Sequence, residues 1–353
     1  MRFALVFVVL AVAGCKSLLG IDDLSLASDA GADVPDDVDP ARCLGGGLIS
    51  VCPEPPPTME LIVVGPQVID TDADPACVTQ MTGGIEACVI VRVTIDIGSA
   101  GSLRVTGRRP LVLASMTTID VKGTIDASSV LQKPPGAGAD STLCVAGPMS
   151  GGSSAGGAGG SFGGRGGQGG SNGSGPGPVA TIDHVQGGCP GSRGNGNPPS
   201  LGGSGGGAVY LIAKEQIVVD GTINASGAGG DAEFSGGFSS NGGGGGGAGG
   251  LIGLDAPMIS GGGTLFANGG GGGGGSSQLM AGSPGSESPS ATIPGQGGNG
   301  NGDGGNGSIG TTLDGQSGLG VGAGGGGGGG AGVIYARGAY TVTGRVSPTP
   351  RLQ

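Results

Sequence analysis

The feature that most constrains the fold is a strand phrase that recurs along the chain, with long glycine tracts between its copies. One copy ends in Gly123-Thr-Ile-Asp-Ala-Ser128, and the next ends in Gly221-Thr-Ile-Asn-Ala-Ser-Gly227. Two later copies run from Leu251 to Gly269 and from Val333 to Ser347. Short β-branched runs with a period of two, punctuated by a turn and a glycine, are typical of β-strands. Because such strands cannot bury a face alone, the copies are predicted to stack.

Strand-like segments also precede the first full copy. They are Glu60 to Val64, Cys88 to Ile97 and Leu103 to Val105. We therefore predict an all-β fold, in which a core of stacked short strands, β-solenoid or sandwich-like, carries long glycine-rich arms. An N-terminal β region is expected over 43–134 and a glycine-rich repeat β region over 135–353.

The arms are the tracts Gly136 to Gly207, Gly227 to Gly250 and Gly269 to Gly332, and we expect them to project from one side. The chain has 91 glycines in 353 residues, more than three times the average usage of about 7%. Two interpretations are open. The tracts could be flexible coil, as in Gly/Ser linkers, or extended threefold helices packed side by side as polyglycine II bundles, since glycine backbones can approach closely. Pure runs such as Gly242 to Gly247 and Gly324 to Gly330 favour the second interpretation.

The amino terminus has the pattern of an export signal. Met1-Arg2 precedes an apolar run from Phe3 to Val12, and small residues lead into Cys15. The order Val12-Ala13-Gly14-Cys15 resembles the bacterial lipobox. The resemblance implies a lipoprotein signal peptide over 1–14, diacylglyceryl transfer to the Cys15 sulfur, and acylation, as by palmitate, of the new amino terminus. The alternative is an ordinary signal peptide with a chance cysteine.

The segment 15–42 is predicted to be a lipid anchor and an acidic tether. It contains seven aspartates and no sustained period, which is typical of a solvated, self-repelling linker. Lys16 stands where, by resemblance to enteric lipoproteins, an aspartate would favour inner-membrane retention. We therefore expect an outer-membrane lipoprotein, on the cell surface or the periplasmic face.

Six cysteines remain if Cys15 is lipidated, and an even number in an exported chain indicates disulfides. Sequence proximity favours three of the fifteen formal pairings, although the sequence alone leaves the connectivity open. These pairs are Cys43 with Cys52, Cys77 with Cys88, and Cys144 with Cys189. A zinc site would require paired Cys-x-x-Cys spacings and histidines, which this chain lacks.

Patterns that indicate catalysis are weak. Ser154 and Ser171 each lie in a Gly-x-Ser-x-Gly match, but such matches arise by chance in a Gly/Ser tract, and no strand-to-helix elbow surrounds them. His184 is the single histidine. We predict that the protein is not an enzyme and needs no cofactor. A net charge of −11 without a basic stripe argues against a nucleic-acid partner.

Two segments have acidic residues in spacings that approach those of calcium sites. Asp70, Asp72 and Asp74 alternate as calcium ligands do, yet Pro75 follows where a tight-turn glycine is expected. They are weak candidates, and an acidic turn is the alternative. The segment 297–303 approaches a calcium-roll motif, but its aspartate is one place late and the motif does not repeat.

The phrases of the form Gly-Thr-Ile-Asx-Ala-Ser-Gly, interleaved with Gly-Gly-Ala/Ser arms, resemble a group of uncharacterised glycine-rich lipoproteins of myxobacteria. The resemblance implies a structural or adhesive role at the cell surface, and it transfers no active site. The expected partners are the membrane, through the lipid, and an envelope polysaccharide or protein. One alternative is a surface module that binds a polysaccharide or other ligand between the arms, and a second is an ice-binding glycine-rich bundle.

Overall fold

The computed structural model describes residues 43–145, 147, 152–234, 240–320 and 322–353. The lipobox, Cys15 and the acidic tether lie outside these ranges. The described residues from 43 onward belong to one compact unit. The boundary predicted at 134/135 lies within this unit, between Asp126 and Ala208, the residues that flank the first glycine-rich excursion. The described residues contain β-strands and no helix, so none of them forms a helix long and apolar enough to cross a membrane.

Seventeen strands account for the regular structure. They are β1 (Leu61–Val63), β2 (Pro66–Asp70), β3 (Val78–Thr82), β4 (Ile85–Arg92), β5 (Ile95–Ile97), β6 (Ser102–Thr106), β7 (Leu111–Ser115), β8 (Thr118–Val121), β9 (Thr124–Asp126), β10 (Ala208–Ala213), β11 (Gln216–Val219), β12 (Thr222–Asn224), β13 (Leu251–Gly261), β14 (Thr264–Phe266), β15 (Val333–Val342), β16 (Val346–Ser347) and β17 (Arg351–Leu352).

The strands stack as successive coils, each with three strand positions. The sets β4-β5-β6, β7-β8-β9 and β10-β11-β12 are complete coils, while β13 and β15 each span the first two positions and β14 and β16 fill the third. One eleven-stranded sheet contains the first and second positions, and a six-stranded sheet in the order β16-β14-β12-β9-β6-β2 contains the third. Every strand pair is parallel except β3 with β4. The all-β prediction is therefore confirmed, and the sheets are mostly parallel.

Identical register from coil to coil builds the core between the sheets. The β-branched and leucine residues of each phrase fall opposite one another, so that aliphatic side chains form columns. Two such columns are Ile95, Ile119, Ile217, Ile259 and Tyr340, and Leu103, Ile125, Ile223, Leu265 and Val346. Most of these side chains are fully buried, and each fully buried Ile or Leu stabilises the fold by about 1.5–3 kcal/mol.

The first strand position is buried on both faces. All five residues of β7 and all six of β10 are buried, so this position lacks the alternation of a half-exposed strand. The inner face contacts the aliphatic columns. The outer face packs against Leu44 and Ile49 of the amino-terminal loop and against Phe162 and Val185.

The long insertions leave the stack at equivalent places. The first arm (127–207), second arm (225–250) and third arm (267–332) each connect the third strand of one coil to the first strand of the next. Because β9, β12 and β14 are neighbours in one sheet, and β10, β13 and β15 are neighbours in the other, all three arms begin and end side by side. The expectation that the arms project from one side agrees with this topology.

The structure brings together the same three cysteine pairs that sequence proximity favours. The Cys43–Cys52 bridge closes the loop on the outer face. The Cys77–Cys88 bridge ties the turn before β3 to β4. The Cys144–Cys189 bridge lies within the first arm and spans 45 residues.

Candidate functional site

The glycine arms form a bundle in which the hydrogen bonds repeat every three residues. Along the run 242–250 every amide donates to a backbone carbonyl at 2.7–3.0 Å, and every third amide reaches the same neighbour. The three sets of amides donate to residues 189–195, 225–231 and 324–330. Carbonyls of the run accept amides from three other segments, which are 157–160, 203–206 and 270–273.

This run therefore has the hydrogen-bond period of an extended threefold helix with six neighbours. The runs 269–275 and 324–330 are bonded in the same way, and all three runs are buried. We call these three segments the inner glycine runs. Their amides are paired throughout, so the interpretation of the tracts as flexible coil is wrong for these segments.

Glycine is required in the inner runs because three neighbours occupy the space where side chains would be. A Cβ built on Gly245 would lie closer than 3.0 Å to the carbonyl oxygen of Ala158. A Cβ on Gly246 would meet Gly270 in the same way, and one on Gly247 would meet Ser204. Real Cβ atoms do not approach backbone so closely. Three consecutive positions thus face three different backbones, which leaves no direction free.

Segments on the outside of the bundle keep glycine where they face other backbones and carry exposed side chains between these glycines. In the first arm Arg165 and Gln168 are exposed, and the two residues between them are glycines packed against backbone. In the third arm Gly315 and Gly318 pack against backbone, while Gln316 and Ser317 between them are exposed. The phrase Gly-Gly-X does not by itself mark the periphery, because Ala155, Ala158 and Ser161 have the same spacing and are buried.

The bundle is continuous with the strand stack. The first amide of β13, on Leu251, donates to Gly207, and the first amide of β15, on Val333, donates to Gly250, both over 2.9–3.0 Å. Gly250 in turn donates to Ala225. The hydrogen-bond ladder of the sheets thus passes into the glycine runs without a gap, which makes the arms an extension of the scaffold.

A buried carboxylate anchors the amino-terminal loop to the outer face of the stack. Asp255 is 2% exposed. Its Oδ2 accepts the amides of Gly46 and Gly47 at 3.0 and 2.9 Å and the hydroxyl of Tyr210 at 3.3 Å, while its Oδ1 lies 3.1 Å from Nη1 of Arg337. Both oxygens of this buried carboxylate therefore have hydrogen-bond partners, and its charge is paired with Arg337. This cluster, the Asp255 clasp, is therefore an anchoring site.

The surroundings of the Asp255 clasp raise the pKa values of three neighbouring side chains. Burial raises the pKa of Tyr210 far above its ordinary value, and the charge of Asp255 adds to the effect. Burial also raises the pKa of Tyr335, whereas the hydrogen bond to Asp255 raises the pKa of Arg337. A cleft of about 480 Å³ opens beside the clasp, lined by Lys214, Asp255 and Arg337 among others. Because their pKa values are raised, Tyr210 and Tyr335 both stay neutral over the physiological range.

The serines of the Gly-x-Ser-x-Gly matches and the single histidine have separate structural roles. The hydroxyls of Ser154 and Ser171 donate to the carbonyl of Gly322 at 3.2 and 3.0 Å, and both serines line a cleft at that end of the bundle. His184 does not line this cleft. Its Nδ1 contacts Asp183, and its buried Nε2 has no hydrogen-bond partner in the described part of the chain. The structure therefore gives neither serine a histidine partner.

The calcium candidates are used in turns and ion pairs. Asp70 Oδ1 accepts the amide of Asp72 at 3.0 Å, and Asp74 Oδ1 accepts that of Ala76 at 2.8 Å. Asp72 lies 3.2 Å from Arg108 and 3.9 Å from Arg109. No group of three or more His, Cys, Asp or Glu within the described ranges could hold a metal ion. These contacts agree with the acidic-turn interpretation.

The calcium-roll resemblance of 297–303 has a similar explanation. Asp303 Oδ1 accepts the amide of Gly300 at 3.0 Å, and Asn306 Oδ1 accepts that of Gly297 at 2.8 Å. Both side chains thus satisfy amides of the glycine segments at the edge of the bundle. These side-chain oxygens, which are of the kind that ligates calcium, instead accept hydrogen bonds from the backbone of the bundle.

Most aromatic rings are unavailable for stacking on a sugar. Phe162 and Tyr210 are fully buried, and Tyr335 and Phe266 are 3% and 5% exposed. Phe234 is 46% exposed, and Phe238 lies outside the described residues. The described surface therefore lacks the cluster of aromatic platforms that commonly binds polysaccharide.

Sequence reasoning missed the Asp255 clasp. Asp255 follows Leu254 in a strand that is otherwise apolar, and Arg337 occupies the same place in the last copy of the phrase. A single acidic residue within a buried strand is the signal that could have identified it, because a buried carboxylate requires partners.

The chain matches no protein-family profile, no curated protein and no solved structure. The bundle and the stack described above therefore carry the functional proposal.

Proposed function

We propose that this protein is an exported, lipid-anchored cell-envelope protein with a structural or adhesive role and no catalytic activity. In this proposal the strand stack is a β-solenoid and the arms are a polyglycine II bundle that it holds in place. The observation that carries the proposal is the hydrogen bonding of three inner glycine runs, each to six neighbours.

The physical reason is that such a bundle has a defined structure whose inner runs present no reactive side chain. Ordering a glycine costs more backbone entropy than ordering any other residue, about 1–2 kcal/mol or more for each. Backbone hydrogen bonds and the close packing they permit offset that cost. The inner runs consist of glycine except for Ala248, so the surface of the bundle is set by the exposed side chains of its peripheral segments.

The proposed location in the cell envelope rests on the amino-terminal sequence and on the cysteines. Cys15 supplies the lipid attachment and 15–42 the tether that separates the folded unit from the membrane. Three disulfide pairs favour an oxidising compartment. The partners are then the membrane, through the lipid, and an envelope polysaccharide or protein.

Different structural observations bear on the polysaccharide-binding and the ice-binding alternatives. The polysaccharide-binding alternative loses support because few aromatic rings are exposed. The ice-binding alternative is favoured by one observation, which is a row of hydroxyl side chains in register across four coils. This row consists of Ser102, Thr124, Thr222 and Thr264. Thermal hysteresis of the purified protein would support ice binding, and its absence would remove this alternative.

The envelope proposal is tested in intact cells with palmitate labelling and proteinase K shaving. The wild-type chain should be labelled, remain with the outer membrane and sediment with envelopes. A Cys15→Ala variant should lose the label and the membrane association. Digestion with a periplasmic control protein intact would support an adhesive role at the surface, and protection would support an envelope scaffold. An unlabelled chain in the cytoplasmic fraction would overturn the proposal.

A further inference from the structure

The three arms turn at the end of the bundle that lies away from the strand stack. The inner run 242–250 enters β13 at its carboxy end, so Asn241 marks its far end. There the amide and carbonyl of Asn241 bond to those of Ser276 at 2.8–2.9 Å. Nδ2 of Asn241 donates to the carbonyl of Glu233 at 3.3 Å, and the Glu233 amide donates to Ser200 Oγ at 2.9 Å. We call this surface, to which all three arms contribute, the distal tip, and it comprises 195–201, 233–234, 241 and 276–282.

The distal tip exposes large apolar side chains. Leu279 is 98% exposed, Met280 52% and Phe234 46%. The amide of Ser277 donates to the carbonyl of Met280 at 2.8 Å, which closes a tight turn with Leu279 near its apex. Leu201, on the adjoining segment, is also exposed. Exposed apolar groups gathered on one surface mark a site of interaction with a protein or a membrane.

The distal tip has few charges, although the chain has a net charge of −11. Arg193 and Glu233, which neighbour the segment 195–201, have opposite signs. Asp303, in a further turn of the third arm, accepts the amide of Gly300. Four turns at this end contain no Asp, Glu, Lys or Arg, and they are 152–154, 171–173, 195–201 and 276–282. The surface can therefore approach an apolar phase without the cost of desolvating many charges.

The size of the end face favours a lipid surface over a folded protein as the partner. Hydrogen-bonded backbones lie about 4.8 Å apart, so about a dozen packed segments present an end face of roughly 300 Å². A stable protein interface buries about 800 Å² of each partner. Apolar side chains at the apex of a turn can enter a bilayer without a complementary surface, and each buried methylene contributes to binding.

The distal tip lies opposite the place where the chain enters the described unit. Cys43 lines the cleft beside the Asp255 clasp, together with Ala213 at the end of β10. The first arm joins the other end of β10, at Gly207. The strand β10 spans about 20 Å, and the run 242–250 adds about 28 Å. The distal tip is therefore about 45 Å from Cys43.

We propose that the distal tip inserts Leu279, Met280 and Phe234 into a bilayer of zwitterionic lipid that faces the membrane carrying the anchor. The facing position rests on the proposed function, since it requires the lipid at Cys15, whereas the insertion does not. A single tip binds weakly, but many copies anchored in one membrane engage the second membrane together, which raises the overall affinity. The adhesive role then has a lipid surface as its partner.

The proposal is tested with an environment-sensitive fluorophore on the full chain anchored in vesicles. The fluorophore is attached at Leu279→Cys, and bare phosphatidylcholine vesicles are then added. Its emission should shift to the blue and be quenched by lipids that carry a quencher in the acyl chain. The same fluorophore at Val68→Cys, a position on the strand stack that is 67% exposed, should not respond. High salt should leave the response unchanged, because few charges take part.

Two double variants separate the distal tip from the rest of the surface. Phe234→Ser with Met280→Ser should raise the lipid concentration needed for a half-maximal response at least about tenfold, because two side chains lose their burial in lipid. Ile62→Ser with Val64→Ser removes side chains that are 53% and 72% exposed on the strand stack. This second pair should leave the response unchanged.

A Cys15→Ala chain with the same fluorophore separates this proposal from the lipid anchor. Its fluorophore should still respond to vesicles, and a chain found without an acyl group would overturn only the proposed function. The acylated chain should also cluster its own vesicles with the bare ones, which turbidity measures. Insertion without clustering would overturn the facing arrangement. The insertion is overturned by equal responses at Leu279→Cys and Val68→Cys, by no response at Leu279→Cys, or by a response that needs no vesicles and grows with protein concentration, which would identify a second copy as the partner.

Discussion

The strand stack and the glycine bundle exclude water by opposite means. In the stack, columns of Ile, Leu and Val fill the space between two sheets, and the side chains supply the contacts. Around the inner glycine runs, backbones lie directly against one another. The stack is therefore sensitive to the removal of methyl groups, whereas the bundle is sensitive to their addition.

The two regions also differ in the number of neighbours to which each backbone segment is hydrogen-bonded. A strand in the stack bonds to two neighbours within a sheet, while an inner glycine run bonds to six segments around it. A sheet extends in two dimensions and needs a second sheet to make a core, but a threefold helix extends the network in three. Glycine content therefore decides which of these packings a segment can adopt.

The largest expected effect is from shortening a side chain in the stack. Ile217 is fully buried in the middle of its column, so Ile217→Ala should lower the free energy of unfolding by about 4 kcal/mol through lost burial and a cavity. Chemical denaturation gives the value. Val218→Ala on the outward face of the same strand serves as the control and should cost less than about 1 kcal/mol. Equal losses at both positions would contradict the core described here.

The second effect is from adding one methyl group to the bundle. Gly245→Ala puts a Cβ against the carbonyl of Ala158 and should cost about 3 kcal/mol, because rigid backbone must move. Hydrogen exchange should speed up for the amides of 242–250 and remain slow in the strands. At Gly262 the nearest atom to an added Cβ is 3.9 Å away, so Gly262→Ala should be neutral or stabilise by up to about 1 kcal/mol. Fast exchange of the inner runs in the wild-type chain would refute the bundle.

The smallest effect is a pH dependence at the clasp that joins the loop to the stack. The pKa of Tyr210 is raised by burial, while in the unfolded chain a tyrosine titrates near pH 10. Above about pH 10 the unfolded state loses a proton that the folded state keeps, so stability falls with rising pH, by about 1.4 kcal/mol per pH unit for this group. Tyr210→Phe should make the fall shallower by that amount and lower stability at neutral pH by about 1–2 kcal/mol, through lost hydrogen bonds.

Tyr340 provides the comparison for this measurement. Burial raises the pKa of Tyr340 to about 12, and its hydroxyl has no hydrogen-bond partner in the described structure. Tyr340→Phe should therefore leave stability at neutral pH nearly unchanged and alter the pH dependence only between about 10 and 12. A loss at neutral pH as large as that of Tyr210→Phe would contradict the distinct role of Tyr210 in the Asp255 clasp.

The sequence predicts the stack well because each copy of the phrase repeats the same local chemistry. The matching glycine, threonine and isoleucine at 123–125 and 221–223 are enough to anticipate paired strands. Proximity favours the cysteine pairs that the structure brings together, although it does not fix them. The order of the strands within the two sheets could not be predicted from the sequence, because a period of two identifies a strand but not its neighbours.

The packing of the arms was only partly predictable. Pure runs favour threefold helices, but the neighbours of 242–250 come from three different arms, and no local pattern encodes those partners. The Asp255 clasp was missed for a related reason. Its contacts join residues far apart in the chain, by 209 positions for Gly46 and Asp255 and by 82 for Arg337 and Asp255, and sequence spacing carries no information on such pairs.

The bonding of the second arm to the third has a consequence for the order of events during folding. Gly243 donates to Gly324, and Gly270 donates to Gly247, so the interior of the bundle cannot form until the last arm has been synthesised. Contacts of such long separation are slow to form, because loop closure precedes the bonds that stabilise it. A prematurely terminated chain would keep its glycine amides open to solvent and its backbone open to proteases. Resistance to proteolysis would then be acquired only by full-length molecules, and degradation would remove truncated ones.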